Sequence, residues 1–96
     1  MKIMRFVKCN LPVIFLQEGK KIIAYTPALD LSTCGKDVSQ ARKRFEEAVS
    51  IFFEETKNIE KVLLECGWKK VPSPQNWQPP IYIGAMQEQV NIPVYA

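Results

Sequence analysis

The hydrophobic pattern at the start of the chain predicts three β-strands. β-branched and aromatic residues dominate residues 11–17 and 21–26, and a Glu-Gly-Lys stretch between them is typical of a tight turn. These two runs predict a β-hairpin. Residues 29–34 form a third short run that Gly35 ends. We therefore expect three antiparallel strands to come first.

A long amphipathic helix is predicted to follow. Asp37 can cap its N-terminus, and Gln40 stands three residues later, as in a capping box. The apolar residues that follow recur at steps of three and four and form one stripe, which should cover the sheet: Val38, Ala41, Phe45, Ala48, Val49 and Phe52. The helix should end near Thr56. Ile51 and Phe53 widen the apolar arc, consistent with a second contact either to the next helix or to another subunit.

A shorter second helix is predicted over residues 59–66. Asn58 can cap its N-terminus through its side chain. Gly67 is placed to provide a left-handed C-terminal cap, because glycine adopts positive φ without a steric penalty. Trp68 should then fold back onto the end of this helix.

The chain changes character after the second helix. Prolines interrupt every later segment and leave no room for a helix of useful length: Pro72, Pro74, Pro79, Pro80 and Pro93. Trp77, Tyr82 and Tyr95 are large apolar groups that a free tail has little reason to expose. We therefore predict an α/β core over residues 1–70 and a proline-rich extended arm over residues 71–96 that packs on the core or on a neighbouring subunit.

Length and composition agree with one folded domain. The chain has 96 residues, of which 47% are hydrophobic and 24% charged. The predicted fold class is α+β, in the order β-β-β-α-(α)-β, with a three-stranded antiparallel sheet covered by one long helix.

The net charge of +3 is mild, and the basic residues alternate with Glu along the helix. This pattern makes nucleic-acid binding by the chain alone an unfavoured expectation.

Residue usage argues against a metal centre, a disulfide framework and a membrane span. The chain has no histidine, and its three cysteines (Cys9, Cys34 and Cys66) form no CxxC pair. Its N-terminus lacks the uninterrupted apolar segment of a secretion signal, and no apolar run approaches about 20 residues. We expect a cytoplasmic protein without a cofactor.

Few side chains are candidates for catalysis. The adjacent pairs Glu46-Glu47 and Glu54-Glu55 do not converge on one ligand, because neighbouring helical residues point about 100° apart. Asp30 and Asp37 could bind a metal ion at a strand end, but turn and capping roles explain both. We therefore expect no enzymatic activity from these acids.

Two further features have a functional and a structural interpretation. Cys34 stands near a helix start, which can lower a thiol pKa, but a buried or incidental cysteine is the favoured interpretation. Trp68 beside Lys69 and Lys70 could stack a nucleic-acid base, although a helix cap followed by surface lysines explains the same residues.

Several strings together resemble the HicB-like antitoxins, including their short stand-alone members. The strings are LPVIF at 11–15, AYTPALDLSTCG at 24–35, Ala41 with FEEA at 45–48, FFEE at 52–55 and VLLECGW at 62–68. Within them, Gly35 supplies a flexible turn into the long helix. The resemblance implies a partial RNase H-like fold. The opening strand has no acid, so the resemblance implies that fold without its metal-dependent catalysis.

The same resemblance implies a function and a partner. Proteins similar to this one neutralise HicA-like toxins, which are small basic ribonucleases that cleave mRNA, and they do so by occlusion. We expect a homodimer whose helix face and aromatic arm contact such a toxin. The candidate partner-binding residues are Glu46, Glu47, Glu54, Trp77 and Tyr82. Many relatives also carry a C-terminal DNA-binding module, for which residues 71–96 are too rich in proline.

Two other functions stay open at this point. The chain can be a nucleic-acid-binding regulator that uses Arg42, Arg44, Lys69 and Lys70, in which case binding should weaken steeply with salt. Alternatively, it can be a dimeric interaction module that has drifted away from toxin control.

Overall fold

A computed structural model describes residues 9–72 and 77–95 of the chain, and its elements follow the predicted order. The strands are β1 (Ile14–Glu18), β2 (Lys21–Thr26), β3 (Leu31–Gly35), β4 (Lys69–Lys70) and β5 (Trp77–Gln78), and the helices are α1 (Val38–Glu55) and α2 (Ile59–Glu65). The α+β class and the three-stranded antiparallel sheet with a long helix are confirmed. Pro74 and residues 1–8, where we expect no secretion signal, lie outside the described residues.

The main sheet has the order β1-β2-β3, with both pairs antiparallel. A tight turn at Gly19, whose φ is 62°, joins β1 to β2. The third strand begins at Leu31 and not at residue 29 as predicted. Ala28 and Leu29 instead form a turn that buries their side chains in the core, and Asp30 leaves this turn with a φ of 50°.

The predicted Asp37 cap of α1 is confirmed, but the reciprocal bond of a capping box is not, because the Gln40 side chain bonds the Lys36 amide and not the Asp37 amide. The Asp37 carboxylate accepts a hydrogen bond of 2.8 Å from the Gln40 amide, and the Gln40 side chain accepts one of 2.8 Å from the Lys36 amide. Val38, however, is 48% exposed, so its place in the core stripe was wrong. The reason is that α1 approaches the sheet most closely one turn later, at Ala41, which is buried with Ala24 and Phe45.

The two ends of α2 differ in how well they follow the prediction. Asn58 adopts a left-handed backbone, with a φ of 55°, and its side chain makes no capping bond, so that predicted role was wrong. Gly67 has the expected positive φ of 89°. The Gly67 amide donates to the Leu64 carbonyl at 3.1 Å and the Trp68 amide donates to the Leu63 carbonyl at 2.9 Å, which together form a Schellman motif.

A second core cluster joins α2 to the loop after β2. It contains Ala28, Leu29, Leu63 and Trp68, all of them buried. The Trp68 indole donates a buried hydrogen bond of 2.7 Å to the Ala28 carbonyl, across 40 positions of the sequence. Trp68 therefore folds back as predicted, and its indole gives the buried Ala28 carbonyl a hydrogen-bond donor.

Replacement of Trp68 by phenylalanine should lower the free energy of unfolding by about 1–3 kcal/mol, because the Ala28 carbonyl would stay buried without its donor. Urea denaturation followed by circular dichroism measures this change. The matched control is Trp77→Phe, which removes the same ring area at a half-buried position and should cost less. Equal effects of the two variants would contradict a specific role for the Trp68 hydrogen bond.

Within the described ranges, no helix is both long enough and apolar enough to cross a membrane.

Candidate interaction site

The helix α1 covers only part of the main sheet. The strand register places Phe15, Ala24 and Thr33 on the sheet face toward α1. The helix packs on β3 and, less extensively, on β2. Every residue of β1 remains exposed. The first strand therefore lies in the sheet without the cover that the other two receive.

A groove about 570 Å³ in volume lies between β1 and α1. Its apolar wall is formed by Leu11, Val13 and Phe15 on one side and by Phe45 and Val49 of α1 on the other. Arg42, Glu46, Asn10 and Cys9 complete the lining. Desolvation beside the groove raises the pKa of the Cys9 thiol, which favours its protonated form. The groove is thus an apolar cleft bordered by charges of both signs.

The opposite face of the sheet is also apolar. The register pairs Ile14 with Tyr25 and Leu16 with Ile23, and these side chains point away from α1. Ile14 and Leu16 are exposed, whereas Ile23 and Tyr25 are half-buried. An exposed apolar sheet face of this kind is typical of an interaction surface. Both faces of β1 therefore carry apolar side chains that α1 leaves uncovered.

The C-terminal segment begins on the core and then leaves it. Trp77 packs against the second core cluster, and the Lys70 ammonium lies 5.9 Å from the centre of its ring. The prolines at 79 and 80 are half-buried, whereas all residues from 81 to 95 are exposed. The exposed part contains large apolar side chains, namely Ile81, Tyr82, Ile83, Met86, Val90, Ile92, Val94 and Tyr95. We call residues 81–95 the arm.

The five predicted partner-binding residues are not gathered at one place. Glu46, Glu47 and Glu54 are exposed on α1, and of these Glu46 borders the groove. Trp77 belongs to the second core cluster. Tyr82 is exposed at the root of the arm, in a second cavity beside residues 10–14. The acids and the aromatic groups thus belong to different surfaces of the chain.

The basic residues of the alternative function have contacts within the chain. The Arg44 guanidinium donates a hydrogen bond of 3.1 Å to the Cys34 carbonyl on β3. The Lys70 ammonium forms an exposed ion pair of 3.0 Å with Glu60. Lys69 is exposed on β4, and Arg42 lines the groove. Two of the four cations are therefore engaged elsewhere, which weakens the case for a continuous phosphate-binding patch.

The candidate catalytic residues have structural contacts. Asp37 caps α1, and Asp30 accepts a hydrogen bond of 3.0 Å from the Tyr25 hydroxyl. This hydrogen bond raises the pKa of Tyr25 above its usual value, together with partial desolvation and the Asp30 charge. Cys34 is half-buried, and its register with Ile23 places its side chain on the sheet face away from α1. In the parts of the chain that the structure describes, no three acidic or thiol side chains come together to hold a metal ion.

Sequence reasoning missed the open groove and the uncovered strand. One signal was available, because the first strand alternates between two sets of side chains that are both largely apolar. Such a strand is expected to be covered on both faces. The C-terminal segment carries a second signal of the same kind. There Val90, Ile92 and Val94 alternate with other residues at the period of a half-buried strand, so these side chains also need cover.

Comparisons with protein-family models, with curated proteins and with solved structures gave no match. The fold and the surfaces by themselves place the chain in a class of protein. It is an α+β domain with a three-stranded antiparallel sheet, one long covering helix and an exposed apolar arm.

Proposed function

We propose that this chain is a non-catalytic binding protein that, like the HicB antitoxins it resembles, neutralises a HicA-like mRNA-cleaving toxin by occlusion and acts as a homodimer. A fold does not by itself determine a function, so the proposal depends on the surfaces and on the strings that carry the resemblance.

The observation that carries the proposal is the amount of apolar surface without a partner. Both faces of β1, the groove beside α1 and the whole arm present large apolar side chains to solvent. Isolated apolar side chains are normal on protein surfaces, but this many on one strand, its flanking groove and the arm favour a protein interface. A binding protein needs such surfaces, whereas an occluding inhibitor needs no catalytic group of its own.

Charge on α1 supports a basic partner. Glu47 and Glu54 are seven residues apart, so they lie on nearly the same side of the helix, and both are exposed. Glu46 and Glu55 extend the acidic surface to either side. Although the whole chain has a net charge of +3, the last ten residues of α1 carry four acids and no base, and this local acidic surface can steer a basic ribonuclease during encounter. In this proposal, the acids of α1 orient the basic toxin, and the ring of Tyr82 makes an apolar contact with it.

The proposal predicts that the purified chain inhibits mRNA cleavage by an active HicA-like toxin near equimolar ratio. The double variant Glu47→Lys/Glu54→Lys should need at least about tenfold more protein for the same inhibition, equivalent to about 1.4 kcal/mol of binding free energy. Cleavage of a labelled transcript, measured against antitoxin concentration at two salt concentrations, tests this expectation.

The matched control is Glu65→Lys, which reverses an exposed acid at the end of α2 and should inhibit as well as the unaltered chain. Full cleavage in the presence of excess unaltered chain, with the toxin shown to be active, would refute the proposal. Inhibition that is equally strong in the double variant would refute the role assigned to α1.

A further inference from the structure

We propose that residues 90–94 of the arm add as a strand to β1 of a second copy, and that two copies exchange arms reciprocally. This inference rests on the proposed homodimer but not on toxin neutralisation. It specifies which segment and which edge form the dimer contact.

The acceptor is the outer edge of β1. The two-residue turn at Gly19 makes Glu18 and Lys21 the hydrogen-bonded pair that closes the hairpin. Because hydrogen-bonded and non-hydrogen-bonded pairs alternate along antiparallel strands, the backbone groups of Phe15 and Gln17 point away from β2. Among residues 9–72 and 77–95, no side chain forms a hydrogen bond to these groups. As far as the described residues go, the edge is therefore available for pairing.

The other edge of the sheet is protected. The same alternation makes the Cys34 carbonyl point outward from β3, and Arg44 of α1 donates a hydrogen bond of 3.1 Å to it. A charged side chain over an edge strand is a known way to block the addition of another strand. Of the two edges, β1 is thus the one that residues 9–72 and 77–95 leave open.

The donor segment has the pattern and length of a matching strand. Val90, Ile92 and Val94 alternate with Asn91 and Pro93, and all are exposed, with Ile92 at 73% and Val94 at 85%. Residues 90–94 would extend about 17 Å as a strand, and β1 has the same length of 5 residues. Each face of β1 carries exposed apolar side chains, so the three side chains would have apolar neighbours whichever strand direction the pairing takes.

Pro93 fixes which side of the donor strand can pair. Proline has no amide hydrogen, and residues two apart direct their backbone groups to the same side. The amides of Val90, Ile92 and Val94 can therefore face β1, whereas Pro93 faces outward. An outer edge without the Pro93 amide resists the addition of yet another strand. This arrangement favours a closed dimer over an open chain of subunits.

A second copy is the occupant that the geometry favours. Ile81 and Tyr82 lie beside residues 10–14, at the start of their own β1, and from there the arm is exposed to its end. The long axis of the molecule is 56 Å, against 27 and 23 Å for the others. In a twofold arrangement each copy gives one arm and accepts one, so a single pair of complementary surfaces closes the assembly.

Sedimentation equilibrium of four proteins tests the exchange. The full chain should have a mass near 22 kDa, which is twice 11.0 kDa. The variant Ile92→Pro removes an amide that faces β1 and should raise the dissociation constant at least tenfold, as should the chain that ends at residue 80. Asn91→Pro removes an outward amide, like Pro93, and should leave the constant within about twofold of the full chain. These three changes lie outside the core, so they leave the domain folded.

A mixing experiment identifies the two halves of the contact. The chain ending at residue 80 retains β1, and the variant Gln17→Pro retains the arm but lacks an outward amide of β1. When measured separately, each variant should sediment as a monomer. An equimolar mixture of the two should contain heterodimer.

Three results would overturn the proposal. A monomeric full chain would favour an arm that pairs within its own chain. The other two are a dimer that survives loss of residues 81–96 and equal effects of the two proline variants. Toxin inhibition is measured separately, so a failed exchange with intact inhibition refutes only this inference.

Discussion

Replacement of Phe45 by alanine should lower the free energy of unfolding by about 3–5 kcal/mol, because it removes the phenyl ring that fills the buried cluster between α1 and the sheet. Phe45 is 7% exposed and packs with Ala24 and Ala41, which are too small to fill the space that it would leave. Urea denaturation of the variant and of the unaltered chain, fitted with a common slope, gives this difference.

The matched control for Phe45 is Phe53→Ala on the same helix. Phe53 is 40% exposed and makes edge contacts with Phe52 and Trp68, so its loss should cost clearly less. A change below about 1 kcal/mol for Phe45→Ala would show that the helix does not pack on the sheet in this register.

Gly35→Ala should destabilise the fold by about 3 kcal/mol. A Cβ atom at this position would lie 2.6 Å from the Ala41 nitrogen and 3.0 Å from the Gln40 carbonyl carbon, both of which are backbone atoms of α1. The helix would have to move away from the sheet, and this movement would loosen the packing over Ala24. The role of Gly35 is therefore close approach, and not the flexible turn that the sequence resemblance implied.

Gly19→Ala is the control for this substitution. Gly19 has a φ of 62° but no atom within 4 Å of an added Cβ, so alanine there should cost only about 1 kcal/mol of backbone strain. Thermal and urea unfolding of both variants separate the two effects. If Gly35→Ala were no worse than Gly19→Ala, the close contact between β3 and α1 would be contradicted.

The two proposals use different parts of the surface. Arm exchange occupies the edge of β1, while the acidic side of α1 with Glu47 and Glu54 stays accessible to a toxin. Glu46 borders the groove next to β1, so in a dimer it lies nearer to the exchanged arm than to the toxin surface. A dimer could then present two acidic surfaces, and the inhibition stoichiometry measures whether one dimer neutralises two toxin molecules.

The sequence by itself determined the local elements. The runs of β-branched and aromatic residues specify β1 and β2, and the three- and four-residue spacing with Asp37 specifies α1, because these signals act between residues close in the chain. Gly67 likewise ends α2 by a local backbone requirement. For the same reason the exposed acids of α1 were identified correctly as surface residues.

Only the tertiary structure decided how those elements meet. The exposure of Val38, the backbone conformation of Asn58 and the close approach at Gly35 all depend on where a helix lies relative to the sheet. The same placement covers β2 and β3, leaves β1 open, and directs Arg44 to one sheet edge but not to the other. Hydrophobic periodicity shows that a side chain needs cover, but the identity of the covering group is a long-range property that periodicity does not contain.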